Sequence, residues 1–197
     1  ANTTHDIAKF EVCAHRWMDL SEFGFGVALL NSCKYGAAIH RNVMRLSLLR
    51  SPKSPDADAD MGQHQFSFAL FPHEGNLQDG GVIQEAHAYN NPLIVKSAKQ
   101  SSPLAGRQSF FSVNVKSVII DTVKKAEDSD CVILRLYEAF GGHSSVRVSV
   151  GACSFPIKSA FLCNLLENPS AELSVVDNSF SLDFRPFQII SVKLEVV

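Results

Sequence analysis

A run of chemically reactive side chains follows the first clear strand pattern of the chain. The segment NSCKYG, from Asn31 to Gly36, places an amide, a hydroxyl, a thiol, an ammonium and a phenol side by side. None of these groups has an evident partner at the spacing of a nucleophile motif such as GxSxG. The sequence contains no self-sufficient catalytic set, so single motifs leave the role of this segment open.

An acidic loop follows about twenty residues later. In SPDADADMG, Asp56, Asp58 and Asp60 stand at alternate positions, as at the start of a calcium-binding loop. The sixth position of that pattern is Met61 instead of glycine, and Ser67 stands where the bidentate glutamate belongs. The sequence therefore favours a solvated acidic turn over a metal site.

The seven histidines show neither HExxH nor any other two-ligand spacing on one face, so no metal site is predicted among them. His73 differs from the others in its setting. It lies in FPHEGN, after an alternating strand pattern and before a glycine turn, where loops commonly carry side chains toward a pocket. We therefore regard His73 as a candidate binding residue.

Composition excludes several classes of function. The 197 residues are 46% hydrophobic and 19% charged, as in folded globular proteins. The net charge is −2 and the basic residues are scattered, which argues against nucleic acid or an anionic membrane as a partner. No apolar run approaches the ~20 residues that cross a bilayer. The five widely spaced cysteines predict reduced, mostly buried thiols and a reducing compartment.

Period-two alternation predicts that strands dominate the chain. The apolar faces are formed by Phe66, Phe68 and Leu70; by Val146, Val148 and Val150; by Val132, Leu134 and Leu136; and by Ile190, Val192, Leu194 and Val196. Frequent turn signals between short strands favour an antiparallel sandwich. VIQEAHAY predicts a short helix, whereas IKSAFLCNLLE fits either a helix or a buried strand.

A polar, proline-bearing segment interrupts the strand pattern after Lys96. It has small residues and no apolar periodicity, which is typical of a linker. We predict one β region over residues 1–98, a linker over 99–107, and a second, all-β domain over 108–197.

Long stretches of the chain resemble one enzyme family. HRWMDLSEFGFGVALLNSCKYG, RLSLLRSPKSPDADADMGQHQFSFALFPHEG, CVILRLYEA, LCNLLE and FRPFQI are similar to the C-terminal β region of glycoside hydrolase family 38, the metal-dependent retaining α-mannosidases, and most similar to its cytosolic (neutral) branch. The similarity extends from about Phe10 to the C-terminus. It implies an all-β chain, in which part of an antiparallel, galactose mutarotase-like β supersandwich precedes a small C-terminal β-sandwich.

The resemblance also implies a function for the parent protein. Family members hydrolyse terminal non-reducing α-D-mannose residues, here expected in free oligosaccharides, with zinc or cobalt as the divalent metal. Their metal site, nucleophile and acid/base carboxylate belong to an N-terminal domain, so no catalytic residue, metal ligand or cofactor is expected in this segment, and the segment alone is expected to be inactive. The implied partners are the N-terminal catalytic and helical domains, the oligosaccharide and a second subunit, in the cytoplasm.

The resemblance assigns candidate substrate contacts as well. Relatives send an arginine from a strand end toward the mannose pocket, and Arg50 at the end of RLSLLR is the matching residue. Asn31, Lys34 and Tyr35 are expected to line the same edge, and His73 completes the set of candidate substrate-binding residues. Alternatively, the residues of this edge cap strands or bridge domains.

The chain departs from the family pattern at one position, and two other functions are alternatives to that of an α-mannosidase domain. Ser32 stands where relatives usually carry aspartate in NDCKYG, which puts a carboxylate role there in doubt. An independent carbohydrate-binding β-sandwich is the first rival; it requires exposed aromatics, whereas we expect most of the 14 phenylalanines to point into strand interiors. A mutarotase-like enzyme is the second, with His73 and Glu85 as the acid/base pair.

Overall fold

The structure is a computed structural model that describes residues 10–97, 108–151 and 155–196. The chain separates into two compact units, Ala1–Lys96 (unit 1) and Ser97–Val197 (unit 2). The predicted linker, 99–107, lies outside the described residues.

Unit 1 contains six strands and one helix in its described part. In chain order these are β1 (Val12–Cys13), β2 (Trp17–Glu22), β3 (Phe25–Asn31), β4 (Gly36–His40), β5 (Val43–Leu46), β6 (Phe68–Glu74) and α1 (Val82–Asn90). They form two three-stranded antiparallel sheets, ordered β2-β3-β6 and β1-β4-β5.

The sheet β2-β3-β6 lies between the helix and the second sheet. On one face, Ala28 and Leu30 of β3 pack against Val82 and Ala86 of α1. On the other face, Met18 and Leu29 pack against Ala37 and its neighbours from the second sheet. The alternation of β3 thus places successive side chains in different layers, because neighbouring side chains of a strand point to opposite faces.

The predicted helix over VIQEAHAY is confirmed as α1. It begins after Gly81, whose φ of 72° is a left-handed conformation that glycine adopts without steric cost. Val82 and Ala86, four residues apart, share one helical face and are fully buried. Glu85 lies in the first turn, where a negative charge suits the helix dipole.

Unit 2 is a sandwich of two antiparallel sheets. Its strands are β7 (Phe111–Val113), β8 (Val118–Lys125), β9 (Val132–Glu138), β10 (Ser144–Val150), β11 (Ile157–Cys163), β12 (Pro169–Leu173), β13 (Ser179–Phe184) and β14 (Ile189–Val196). The sheet orders are β13-β10-β7 and β12-β11-β14-β9-β8. Buried residues of both sheets form one core, which includes Leu134, Val148, Phe180 and Leu194.

The predicted all-β, antiparallel fold class is confirmed. The segment that fitted either a helix or a strand is strand β11, which pairs with β12 and β14. The predicted apolar faces of β9, β10 and β14 enter the core of unit 2. Period two therefore identified these strands correctly, because alternate side chains of a strand point to the same face of its sheet.

The predicted burial of one face of β6 is wrong, whereas most of the 14 phenylalanines, eight in number, are buried or half-buried as expected. In β6 the predicted apolar face, Phe68 and Leu70, is exposed, while Ala69 and Phe71 pack toward α1. Six of the 14 phenylalanines are exposed: Phe10, Phe23, Phe25, Phe68, Phe110 and Phe187. Alternation shows which residues share a face of a strand, but the layer that covers that face comes from elsewhere in the fold.

The expectation of mostly buried cysteines is also wrong for the four that are described. Cys13 and Cys33 are exposed, and Cys131 and Cys163 are half-buried free thiols. Burial raises the pKa of the Cys163 thiol, and the nearby Glu167 carboxylate adds to that rise.

Candidate functional site

The segment 32–36 holds both ends of the long loop 48–67. At the start of the loop, Ser47 donates its main-chain N–H to the carbonyl of Gly36 at 2.8 Å. At its end, the Ser32 hydroxyl donates to the carbonyl of Ser67 at 3.1 Å and accepts the Ser67 N–H at 3.2 Å. The polar residues of NSCKYG therefore close a loop that leaves and re-enters the same edge of unit 1.

Arg50 lies in this loop. Strand β5 ends at Leu46, so the expectation that Arg50 ends a strand is wrong by four residues. Its neighbour Ser51 donates its N–H to Asp60 Oδ2 at 2.9 Å, and His64 Nε2 lies 2.9 Å from the Asp60 carbonyl. Asp60 thus ties the two arms of the loop together directly beside Arg50, whose side chain is exposed.

Lys34 and Tyr35 each contact one aromatic ring at this edge. The Lys34 ammonium lies 5.1 Å from the centroid of the Phe66 ring, within cation–π range. The rings of Tyr35 and His15 are 4.3 Å apart at an interplanar angle of 45°. Tyr35 is 39% exposed, so its hydroxyphenyl group reaches the surface of unit 1.

Asn31 is fully buried at the end of β3. Its Nδ2 donates to the carbonyl of Ala14 at 3.2 Å, and its own carbonyl accepts Asn90 Nδ2 at 3.1 Å. It therefore connects β3 both to the start of the chain and to the end of α1. Among the described residues its side-chain oxygen has no hydrogen-bond partner.

His73 forms a buried pair with Asp19. His73 Nε2 lies 2.8 Å from Asp19 Oδ1, and the two side chains are only 2% and 3% exposed. Asp19 is on β2 and His73 on β6, so the pair spans the central strand β3. Sequence reasoning missed Asp19. The available signal was a carboxylate that shares one face of the alternating strand pattern with the aromatic Trp17.

Two glycines make room for the His73 ring. Gly26 of β3 lies directly opposite His73, and a Cβ at this position would overlap the ring. Gly80, in the turn before α1, covers the ring from the other side, and a Cβ there would overlap it as well. The imidazole is thus enclosed between two residues that have no side chain.

The described residues do not bring His73 and Glu85 together as an acid/base pair. His73 is hydrogen-bonded to Asp19, whereas Glu85 is exposed on α1. Nor do the residues of 10–97, 108–151 and 155–196 place three metal-ligating side chains close enough to hold a metal ion. The carboxylates of Asp56 and Asp60 instead accept main-chain N–H groups within the acidic loop.

Glu138 of unit 2 is a buried carboxylate with a structural role. Glu138, 1% exposed, accepts the main-chain N–H groups of Phe140, Gly141, Gly142 and Phe187 at 2.8–3.2 Å. Burial by itself would raise the pKa of Glu138, but these donors outweigh it and the pKa lies below its ordinary value. The carboxylate therefore joins two loops of the sandwich as an anion.

Comparison with known proteins assigns the chain to a family. The sequence model described as "Glycosyl hydrolases family 38 C-terminal domain" matches residues 1–58, and "Glycosyl hydrolases family 38 C-terminal beta sandwich domain" matches residues 117–192. The chain belongs to glycosyl hydrolase family 38. It corresponds to the C-terminal β region of the family's α-mannosidases.

Relatives of this family 38 chain in several organisms are named as α-mannosidases. It is 50% identical over 198 residues to "Alpha-mannosidase 2C1" of Homo sapiens. This alignment covers 98% of the chain and 19% of the human protein. It is 41% identical over 190 residues to "Alpha-mannosidase G" of Dictyostelium discoideum, with 95% and 18% covered. The chain thus spans about a fifth of the length of these relatives.

Solved structures share the fold. A protein in glycosyl hydrolase family 38 from Enterococcus faecalis aligns with a TM-score of 0.71 over 94% of this chain and 22% of that one, at 17% identity. An α-mannosidase from Enterococcus faecalis V583 aligns with the same TM-score and identity, over 94% and 21%. In the described part of the family 38 chain, no helix is both long and apolar enough to cross a membrane.

Proposed function

We propose that this chain is the C-terminal β portion of an α-mannosidase that removes terminal non-reducing α-D-mannose residues from free oligosaccharides. One observation carries the proposal: nearly the whole chain aligns, at 50% identity, with a protein named as an α-mannosidase. Identity at this level over 98% of the chain supports a shared fold and a shared place in a larger enzyme.

Within that enzyme the chain contributes one edge of the sugar-binding cleft. Arg50, Lys34 and Tyr35 are the candidates for direct contact, because their side chains reach the surface of unit 1 or line it. A guanidinium presents a planar fork of donors that suits sugar hydroxyls or a carboxylate. We assign a positioning role to the buried Asn31 and His73, which hold strand β3 and the turn before α1 in place.

The catalytic and helical domains of the same protein are the proposed partners of unit 1. Phe25, Phe68 and Leu70 are about half exposed or more, and a cavity of about 510 Å³ lies beside Phe25 and Met44. Apolar surface of this kind commonly marks an interface. The proposal includes a homo-oligomer. It also includes a cytoplasmic location, because the wide spacing of the five cysteines favours a reducing compartment.

The proposed zinc or cobalt ion binds to another domain of the parent enzyme. The described residues of this chain do not provide a ligand set for such an ion. The proposed contribution of this chain is therefore to bind and orient the sugar, while another domain supplies the metal and the reacting carboxylates.

Kinetics of the longer protein that carries this chain test the role of Arg50. We expect Arg50→Ala to lower kcat/KM for a chromogenic α-mannoside about 10- to 100-fold, because a charged hydrogen-bond donor to the sugar is lost. Arg50→Lys should recover only part of it, since an ammonium lacks the planar fork. Arg45→Ala, which removes an exposed arginine of β5, is the matched control.

Two results would contradict the proposal. Unchanged kcat/KM in Arg50→Ala would remove Arg50 from the substrate edge while leaving the family assignment intact. Metal-dependent hydrolysis by the 197-residue chain alone, assayed with added zinc or cobalt, would place the chemistry within this chain instead of in another domain.

A further inference from the structure

Unit 2 has a polar pocket whose lining includes none of the candidate substrate-binding residues. Its volume is about 310 Å³, at the lower end of the range of small-molecule sites. It is formed where the chain turns from β12 into β13, and its polar lining comprises Arg147, Ser174, Asp177, Ser179 and Ser181. All the residues that line it belong to the described part of the chain.

The turn at one end of the pocket is held firmly. Val176 and Ser179 exchange main-chain hydrogen bonds of 2.9 and 3.0 Å, and Asp177 and Asn178 both have positive φ, as in a type I′ hairpin turn. The Asn178 side chain makes three hydrogen bonds to the main chain of neighbouring segments. The Asp177 carboxylate is therefore presented from a fixed turn, which lowers the entropic cost of binding.

Arg147 faces the same pocket from the middle of the sheet. It lies on β10 between the buried Val146 and Val148, directly opposite Ser181 of β13. Within the described residues, neither the Arg147 guanidinium nor the Asp177 carboxylate has a hydrogen-bonding or ionic partner. Both charged groups are thus available to a ligand.

A second cavity of unit 2 differs in this respect. It measures about 620 Å³ and is lined by Phe110, Lys124 and Lys125 among others. Lys124 pairs with Glu167 at 2.8 Å, and Lys125 pairs with Asp130 at 2.6 Å. Its charged groups are already engaged within the protein, so the smaller pocket is the better candidate for polar recognition.

We propose that the pocket at Arg147 and Asp177 binds a single pyranose ring of an oligosaccharide. A pyranose carries neighbouring hydroxyls that both donate and accept hydrogen bonds. The guanidinium supplies donors, the carboxylate supplies acceptors, and the serine hydroxyls do both. Val176, 59% exposed, offers an apolar surface to the C–H face of the ring.

The carboxylate also decides against a small anion as the ligand, because Asp177 would repel it. This sugar site is independent of the edge around Arg50, which belongs to unit 1. Its failure would leave that proposal untouched, and its success would not establish it.

NMR titration of the isotope-labelled 197-residue chain tests the site. With methyl α-D-mannopyranoside as the probe, we expect saturable shifts of the Arg147 Nε–H and of the amides from Ser174 to Ser181, with a Kd on the order of 1–10 mM. Arg147→Gln and Asp177→Asn should each weaken binding about tenfold or more, since each removes a charge-assisted hydrogen bond. Asn tolerates the left-handed conformation at position 177, so the turn is retained.

Controls and contrary outcomes are equally specific. Arg185→Gln, which removes another exposed cation of unit 2, should bind the mannoside as the unaltered chain does. The proposal fails if the folded chain shows no saturable shifts in this region, if glycerol produces the same shifts, or if phosphate binds and the mannoside does not. Binding that survives Arg147→Gln unchanged would also overturn it.

Discussion

Unit 1 and unit 2 differ in what they bury. In unit 2 eleven buried apolar residues from two sheets form one core. The described part of unit 1 has clusters of four and three buried apolar residues, together with the His73–Asp19 pair, while Phe68 and Leu70 remain exposed. The contrast teaches that unit 2 concentrates its buried apolar side chains in one core, whereas unit 1 divides them between two layers and encloses one polar pair.

The largest expected effect comes from breaking the enclosed pair. We expect His73→Ala to lower the free energy of unfolding of unit 1 by about 3–5 kcal/mol, because it leaves Asp19 buried without a partner. The single tryptophan, Trp17, packs in the cluster under α1 and reports unfolding of unit 1 in a urea titration. His40→Ala, which removes an exposed histidine, is the control.

A double-mutant cycle sharpens this prediction. Gly26→Ala alone should cost about 1–3 kcal/mol, since the new methyl group overlaps both the His73 ring and the Cβ of Ser21. Combined with His73→Ala it should cost less than the sum of the two single changes, because the obstructing ring is gone. If the loss of unfolding free energy in the double mutant equals the sum of the two single losses, the His73 ring is not enclosed by Gly26.

Unit 2 should be sensitive to acid through the buried carboxylate of Glu138. We expect Glu138→Gln to destabilise unit 2 by about 2 kcal/mol, because an amide nitrogen replaces an oxygen that accepts main-chain N–H groups. The pKa of Glu138 is lowered by folding, so its stabilisation is present above its ordinary value of about 4.5 and is lost as the pH falls below it.

The measurement is urea denaturation at several pH values, followed by the NMR signals of β9 and β10. The difference between the unaltered chain and Glu138→Gln should be constant near neutral pH and shrink as the pH falls below about 4.5. In Glu138→Gln, the Trp17 fluorescence of unit 1 should change at a different urea concentration from the NMR signals of unit 2. A change of both at the same urea concentration would indicate that the two units do not unfold separately.

The smallest effect is expected at the loop of unit 1. Ser32→Ala removes a donor to the Ser67 carbonyl and should cost about 0.5–1.5 kcal/mol. Ser32→Asp, which introduces the aspartate that the family resemblance implies at this position, should cost no more than Ser32→Ala, because its carboxylate still accepts the Ser67 N–H. Urea titration of Trp17 fluorescence measures both, and a larger loss in Ser32→Asp would show that the hydroxyl is required as a donor.

Local sequence patterns predicted much of the fold. The strands β9, β10 and β14 and the helix α1 all follow from alternation and glycine placement. These features depend on residues a few positions apart, so they are encoded within short segments. Long ordered similarity further identified the family, as the comparisons confirm.

The candidate sites depended on contacts between distant residues. His73 could be recognised as unusual, but its partner Asp19 lies 54 positions away and the enclosing glycines lie on two other segments. Likewise, NSCKYG holds a loop through Ser67, and Arg147 lines the same pocket as Asp177 only because β10 pairs with β13.

The sequence by itself determined the antiparallel all-β class, the short helix and the family, because period, turn chemistry and extended similarity are properties of the linear chain. The tertiary structure alone decided which face of β6 is covered, which histidine is enclosed, and which charged groups are left without partners. The physical reason is that burial and pairing depend on the layer that packs against a strand, and that layer comes from residues far away in the chain.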